Sequence, residues 1–215
     1  MEARTLVLFL VFKSKNFCIV LSSPSGAGKT SISRQLIKKD KSIDLSISCT
    51  TRPIRKGEIH KKDYIFYTEN QFNLSIKKNE FIEYAEVFGY KYGTLKKTVR
   101  SFFNKKKDVL FDIDWQGYQQ LKQSNFDVVG IFILPPSKIA LINRLKTRGR
   151  DTKEEMKKRM NLVQNEISHF PEYDYVVVNT DLKICVNQIM NIISSERLKR
   201  FRLMNLTKFV NNFRS

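Results

Sequence analysis

The sequence predicts an α/β fold, a parallel-sheet core flanked by helices and interrupted by two insertions. Four apolar runs of strand length, at 17–21, 108–114, 127–134 and 173–179, are rich in Val, Ile and Phe, as strands buried on both faces are. They alternate with segments of helical periodicity, the pattern of a parallel sheet. The first run leads directly into "SPSGAGKT", a glycine-containing turn that opens a helix.

Residues 1–15 form an N-terminal extension of unassigned role. Leu6 to Phe12 is apolar behind Arg4, but too short to span a bilayer; Lys13 and Lys15 end it, and no small-residue cleavage site follows, so neither a membrane span nor a leader is expected. The core is assigned to 16–51, 98–136 and 169–200. After the glycine turn, "TSISRQLIKK" places Ile32, Leu36 and Ile37 on one helical face. Residues 52–97 carry alternation in "DYIFYT" and the aromatic run "EFIEYAEVFGYKYGT", which predict a small mixed or antiparallel lobe. Residues 137–168 read as helical throughout. Ser137 caps a first helix that stops near Gly149, and "DTKE" at 151–154 starts a second in the manner of a capping box. There Met156, Met160, Val163 and Ile167 make a core-facing stripe. Pro135 and Pro136 end the preceding strand, so the helical pair is read as a mobile unit hung from the sheet. Residues 201–215 form a basic tail, expected as a helix with a solvated face.

The composition bounds the function. At 215 residues with 41% hydrophobic side chains the chain can bury a real core, which excludes a disordered or fibrous protein. The +18 formal charge attracts acidic partners, but the lysines cluster in runs such as "KKDK" and "NKKKD" between apolar segments. Those are solvated loops and helix ends, so no nucleic-acid surface is expected. Cys18, Cys49 and Cys185 are scattered and odd in number, which supports neither a disulfide framework nor a zinc site and fits a reducing cytoplasm. His60 and His169 have no partner at ligand spacing.

The turn from Ser23 through Pro24, Ser25, Gly26, Ala27, Gly28 and Lys29 to Thr30 fits a phosphate-binding loop of the P-loop NTPase type. Successive backbone N–H groups converge on phosphate oxygens at a helix N-terminus, Lys29 reaches the β and γ phosphates, and the Thr30 hydroxyl can ligate Mg²⁺. The usual pattern carries Gly where Ser23 stands; the position closes the strand and mainly needs a small side chain. Arg52 and Arg55, with Pro53 stiffening the link, are spaced to converge on one anion, and Tyr64 can add a neutral donor, although a solvated basic turn has the same spacing. Asp112 and Asp114 end an apolar strand, where open α/β sheets place ligand groups; they can orient Mg²⁺ waters or cap the next helix. Arg144 and Arg148 share a helix face, and Arg159 lies on the following helix; taken singly, each reads as part of a salt-bridged, exposed basic face. Glu83 in "FIEYAE" reads by itself as an ordinary strand carboxylate, with Glu86 an equal candidate.

In order and approximate spacing, "SPSGAGKT", "SCTTRPIRKGEIHKKDY", "NEFIEYAEVFGYKYGT", "DIDWQG", "RLKTRGRDTKEEMKKR" and "VVVNTDL" resemble the guanylate kinase family from about Phe17 to Arg200. The resemblance implies a phosphate-loop core, a GMP-binding lobe at 52–97 and a helical lid at 137–168 that closes over ATP. It further implies that Arg52, Arg55, Tyr64 and Tyr92 grip the GMP phosphate, and that Ser48, Glu83 and Thr94 read the guanine, which selects Glu83 over Glu86. Asp112 joins the GMP site, Thr30 and Asp114 the metal site, and Arg144, Arg148 and Arg159 act with Lys29 on the transferring phosphoryl group. The chemistry agrees: guanine presents N1–H and its amino group side by side, and one carboxylate accepts both.

The expected reaction is Mg²⁺-dependent phosphoryl transfer from ATP to GMP, and to dGMP, by a monomer or homo-oligomer with no membrane partner. A catalytically silent relative that binds phosphorylated or acidic partners is the alternative. Retention of Lys29, Thr30 and the arginines argues against it, since pure binding does not need them.

Overall fold

The computed structural model describes residues 12–87, 89–148 and 163–214, with 145–148 as backbone only. Along the chain run β1 (Cys18–Ser22), α1 (Lys29–Lys39), β2 (Ile43–Leu45), β3 (Cys49–Thr50), β4 (Ile65–Phe66), α2 (Glu69–Lys77), β5 (Phe81–Val87), β6 (Tyr90–Leu95), α3 (Lys96–Asn104), β7 (Asp108–Asp112), α4 (Trp115–Lys122), β8 (Val128–Leu134), α5 (Lys138–Arg148), α6 (163–168), β9 (Tyr175–Val178), α7 (Leu182–Arg197) and α8 (Leu206–Asn211).

The main sheet has the order β2-β7-β1-β8-β9, with every neighbouring pair parallel. Helices cover both faces, so every residue of β1 is buried, as its unbroken apolar run requires. On one face Ile32 and Leu36 of α1 and Ile189 and Ile193 of α7 pack against Ile19, Leu21 and Ile131. On the other, Val99 of α3 and Tyr118 and Leu121 of α4 pack against Val20, Phe111 and Phe132. Each such large apolar side chain contributes about 1.5–3 kcal/mol on burial. Because all five strands run the same way, their carboxyl ends share one edge, and the register sets Leu21 beside Asp112 there.

The second sheet, β4-β3-β6-β5, is mixed, with β3 parallel to β4 and antiparallel to β6. It starts earlier than alternation indicates, at Cys49–Thr50, since a two-residue strand is too short to show a period. Phe72 of α2 stacks on Phe81 with ring centroids 4.4 Å apart, closing a small core of its own.

Of the predicted helical pair, Ser137 does cap α5, its hydroxyl accepting from Ala140 N at 3.1 Å. Val163 is buried and Ile167 packs beside it against Leu141 of α5. Met156, Met160 and the 151–154 start lie outside the described residues.

The basic tail departs from the expected helix twice: its α-helix is confined to Leu206–Asn211, and one basic residue leaves the solvated face. Lys208 and Arg214 are exposed, but Arg202 is only 2% exposed. Its guanidinium is paired with Asp127 and Glu196 and lies over the Phe17 ring, so it belongs to the core rather than to solvent. The same turn pairs with the end of the N-terminal extension: Lys15 N donates to Arg202 O at 2.7 Å and Met204 N to Lys13 O at 2.9 Å. Among the described residues no helix is long and apolar enough to cross a membrane.

Candidate active site

The loop after β1 takes its shape from two glycines in left-handed backbone, Gly26 at φ 90° and Gly28 at φ 102°. A Cβ on Gly28 would stand 2.5 Å from Asn179 Nδ2, so the position needs both the dihedral and the space of glycine. Asn179, just past β9, donates from Nδ2 to Ala27 O at 2.7 Å and pins the loop from behind. Ser22 Oγ donates to Ile113 O at 2.9 Å, and the buried Ser23 donates to Pro24 O at 3.1 Å. Thus the position that lacks glycine holds a small, buried side chain. Thr30, in the first turn of α1, is exposed.

Lys29 opens α1 and reaches across the strand ends. Its ammonium lies 2.9 Å from Asp112 Oδ1 and donates to Ile113 O at 2.9 Å. Burial disfavours the charged ammonium, but Asp112 outweighs that cost and the pKa is raised, so the group stays positive. Asp114 performs the alternative role foreseen for it, capping α4: it accepts from Gly117 N and from Gln116 Nε2, each at 3.1 Å. Its charge still acts on Lys29 and Glu83.

Across the cleft, the second sheet supplies Glu83, 3% exposed, opposite Thr94 in the β5–β6 register. Glu86 of the same strand is exposed. Glu83 Oε1 is buried without a hydrogen-bond partner among the described residues. Burial pushes its pKa up to about 7, against the pull of Thr94, which hydrogen-bonds it; Asp114 adds to the rise. Ser46 bridges toward Thr94, Oγ to Oγ1 at 3.4 Å. Ser48 is half-buried, and its carbonyl accepts from Ile65 N at 2.9 Å.

The arginine pair is arranged unequally. Arg52 is buried, donates to Glu58 Oε1 and to Pro53 O at 2.7 Å each, and lies 5.4 Å from the Tyr64 ring centroid. Arg55 is exposed, and it is its backbone N that meets the Glu58 carboxylate, at 2.8 Å. Tyr64 packs on Tyr92 with centroids 6.0 Å apart, and its pKa is raised first by burial and then by Asp112. Tyr64 therefore faces the Lys29 side of the cleft. Arg144 of α5 donates to Ala27 O and Asn179 O at 3.3 Å each, which brings it to the loop. The Arg148 side chain and all of Arg159 lie outside the described residues.

Two carboxylates in the cleft have no sequence signal of their own. Glu58 is one; Glu166 of α6 is the other, accepting from Ser25 N of the loop at 3.0 Å. Glu58 sits in a charge-rich stretch and Glu166 alone among polar and apolar neighbours, and only the fold brings them to the site.

The hard oxygen donors that could hold a divalent cation are the Thr30 hydroxyl and the Asp114 carboxylate, the latter occupied in capping α4. Among the described residues no three His, Cys, Asp or Glu side chains cluster as a self-sufficient cage. That donor set suits Mg²⁺, which is usually shared between one or two protein ligands and substrate phosphates.

The family model described as "Guanylate kinase" matches residues 15–196. A guanylate kinase of Paramagnetospirillum magneticum is 47% identical over 201 residues, covering 93% of this chain and 94% of the relative. That of Rickettsia prowazekii is 47% identical over 190 residues, covering 88% and 96%. Among solved structures, guanylate kinase from Anaplasma phagocytophilum superposes with a TM-score of 0.77 at 35% identity, over 94% of this chain and 96% of that one.

Proposed function

The chain belongs to the guanylate kinase family, and we propose that the cleft between its two sheets carries out Mg²⁺-dependent phosphoryl transfer from ATP to GMP. It is a nucleoside monophosphate kinase, an ATP:GMP phosphotransferase. ATP docks on the loop from Ser23 to Thr30, and GMP, or dGMP, on the lobe at 52–97. The observation that supports guanine most directly is Glu83, whose buried Oε1 has no partner among the described residues. A buried oxygen of this kind needs donors, and guanine brings two; adenine would set an acceptor against it.

Each chain residue has a definite task. Glu83 accepts from the guanine edge, while Thr94 and Ser48 line the base. Arg52, held flat by Glu58 and Tyr64, meets the GMP phosphate with Arg55, Tyr64 and Tyr92. Lys29 exchanges its Asp112 contact for donor phosphate oxygens, and Asp112 is then left facing the acceptor. Arg144 is anchored near the loop, where it can reach the transferring group with Arg148 and Arg159 of the helical lid at 137–168. Thr30 and Asp114 would hold Mg²⁺, which would supply charge neutralisation for the phosphates. The GMP phosphate is already an anion near neutral pH, so positioning and charge neutralisation carry the reaction without a strong base. Three buried free thiols fit a reducing cytoplasm.

The test is an ADP-release assay with GMP, dGMP, AMP, CMP and UMP as acceptors. Turnover confined to GMP and dGMP is expected; equal turnover with AMP would remove Glu83 as the base reader.

A further inference from the structure

We infer that Glu166 is a built-in competitor for the donor site, its carboxylate holding an anion position of the loop until nucleotide phosphate expels it. This rests on the reading of the loop as the ATP site.

A phosphate loop offers backbone N–H donors to phosphate oxygens, and Ser25 N is one of them. Here that donor is already engaged by Glu166 Oε2 at 3.0 Å, with Lys29 attracting the same carboxylate. Burial raises the Glu166 pKa, so holding a charge there is costly, and the Ser25 N–H and Lys29 only partly offset the cost. The same three features describe a phosphate oxygen in such a loop: an anion, on a backbone donor, beside the loop lysine.

Glu166 and a polyphosphate cannot both stay. One N–H satisfies one acceptor well, and a carboxylate beside several phosphate charges in a half-buried site is repelled strongly. Part of the ATP binding energy is therefore spent on moving Glu166, and the penalty grows with the charge of the incoming group. Asp112 opposes nucleotide through Lys29 in a similar way, but it sits on a fixed strand end. Glu166 sits instead on α6, helical over the described residues 163–168, where Val163 and Ile167 rest on α5.

The chain carries its own reporter. Its one tryptophan, Trp115, stacks on His169 with ring centroids 3.6 Å apart, directly after the end of α6. Movement of Glu166 with its helix should disturb that stack and change the emission.

The experiment titrates the full chain with ATP, ADP and inorganic phosphate by calorimetry and Trp115 fluorescence, for wild type, Glu166→Gln and Glu166→Asp. Glu166→Gln keeps an oxygen for Ser25 N–H but removes the charge. It should tighten ATP about tenfold, the scale of one charge-assisted hydrogen bond, with a smaller gain for ADP and the least for phosphate. Glu166→Asp keeps the charge and should bind ATP no more tightly than wild type. ATP should shift Trp115 emission in wild type. A merely structural role predicts equal losses for all three ligands, without that grading. If wild type binds ATP and Glu166→Gln binds it no more tightly, the competition is refuted while the functional reading stands; if wild type binds no ATP, the functional reading itself fails and this inference with it.

Discussion

A Cβ added to Gly117 would stand 2.8 Å from Glu83 Oε2, so α4 and β5 close on each other with no room for a methyl group between them. The contact joins the core to the second sheet, since Gly117 belongs to the helix that Asp114 caps and Glu83 to β5, where the proposed base pocket lies. Alanine favours a helix over glycine by about 1 kcal/mol, so Gly117→Ala should not unfold α4. It should instead deflect the Glu83 carboxylate. The expected outcome is a KM for GMP raised about tenfold or more, with the KM for ATP within about twofold of wild type. Steady-state kinetics with each substrate varied in turn decides it, and an equal rise for ATP would place the damage elsewhere.

With Glu83 in its proposed role as base reader, its raised pKa should make recognition of the base depend on pH. Below about 7 the free protein holds a proton on this carboxyl, and a protonated acid cannot accept both guanine donors. Affinity should therefore climb by up to about tenfold per pH unit below that value and level off above it. Guanosine is the proper probe, because it lacks the phosphate that titrates in the same range. Its Ki against GMP should follow this curve, and Glu83→Gln should flatten it. Stability runs the other way: the native state binds the proton more tightly than the unfolded chain, so this group's contribution is full below its ordinary value of 4.5 and is lost as pH rises through about 7.

Much of this arrangement was legible in the residues, for physical reasons that can be named. Both faces of the parallel strands are covered, so unbroken apolar runs marked β1, β7 and β8, and the parallel register then had to bring Asp112 beside the loop. Glycines at 26 and 28 were readable because no other residue suits those dihedrals. What stayed hidden depends on long-range geometry. Glu83 and Glu86 alternate on one strand, and only packing shows that the first is buried and the second exposed. Nothing local marks Glu58 or Glu166 as part of the site, since their partners, Arg52 and Ser25, are defined by folding. Arg202 was hidden for the same reason, as a basic tail looks solvated until its counter-charges are placed around it.

Arg202 should matter to stability and not to turnover. It lies at the amino ends of the strands, against Phe17 and Asp127, whereas the site lies at the carboxyl ends. Glu196, 1% exposed, also contacts Lys199 and Tyr175, but losing Arg202 would leave it short of its main buried counter-charge. Breaking a buried pair by removing one partner costs about 3–5 kcal/mol. Arg202→Met should lower the urea midpoint accordingly while leaving both KM values near wild type. Unchanged stability would mean that the pairing of residues 13–15 with 202–204 does not depend on this charge.

Glu58 should act on GMP through its phosphate alone. It takes Arg52 Nη2 on one oxygen at 2.7 Å and Arg55 N on the other at 2.8 Å, and so fixes the turn that presents both arginines. The Arg52 hydrogen bond holds its carboxyl below the usual range. A depressed carboxylate contributes stability that is present above its unfolded pKa and lost as pH falls through the folded one, so Glu58→Gln should weaken the acid dependence of unfolding. In the active site the same change frees the Arg52 guanidinium to turn away from the phosphate position. The KM for GMP should rise about tenfold, while guanosine, which has no phosphate for Arg52 to meet, should compete as well as before. If guanosine weakens in parallel with GMP, Glu58 supports the whole lobe, and its role is not confined to the arginines.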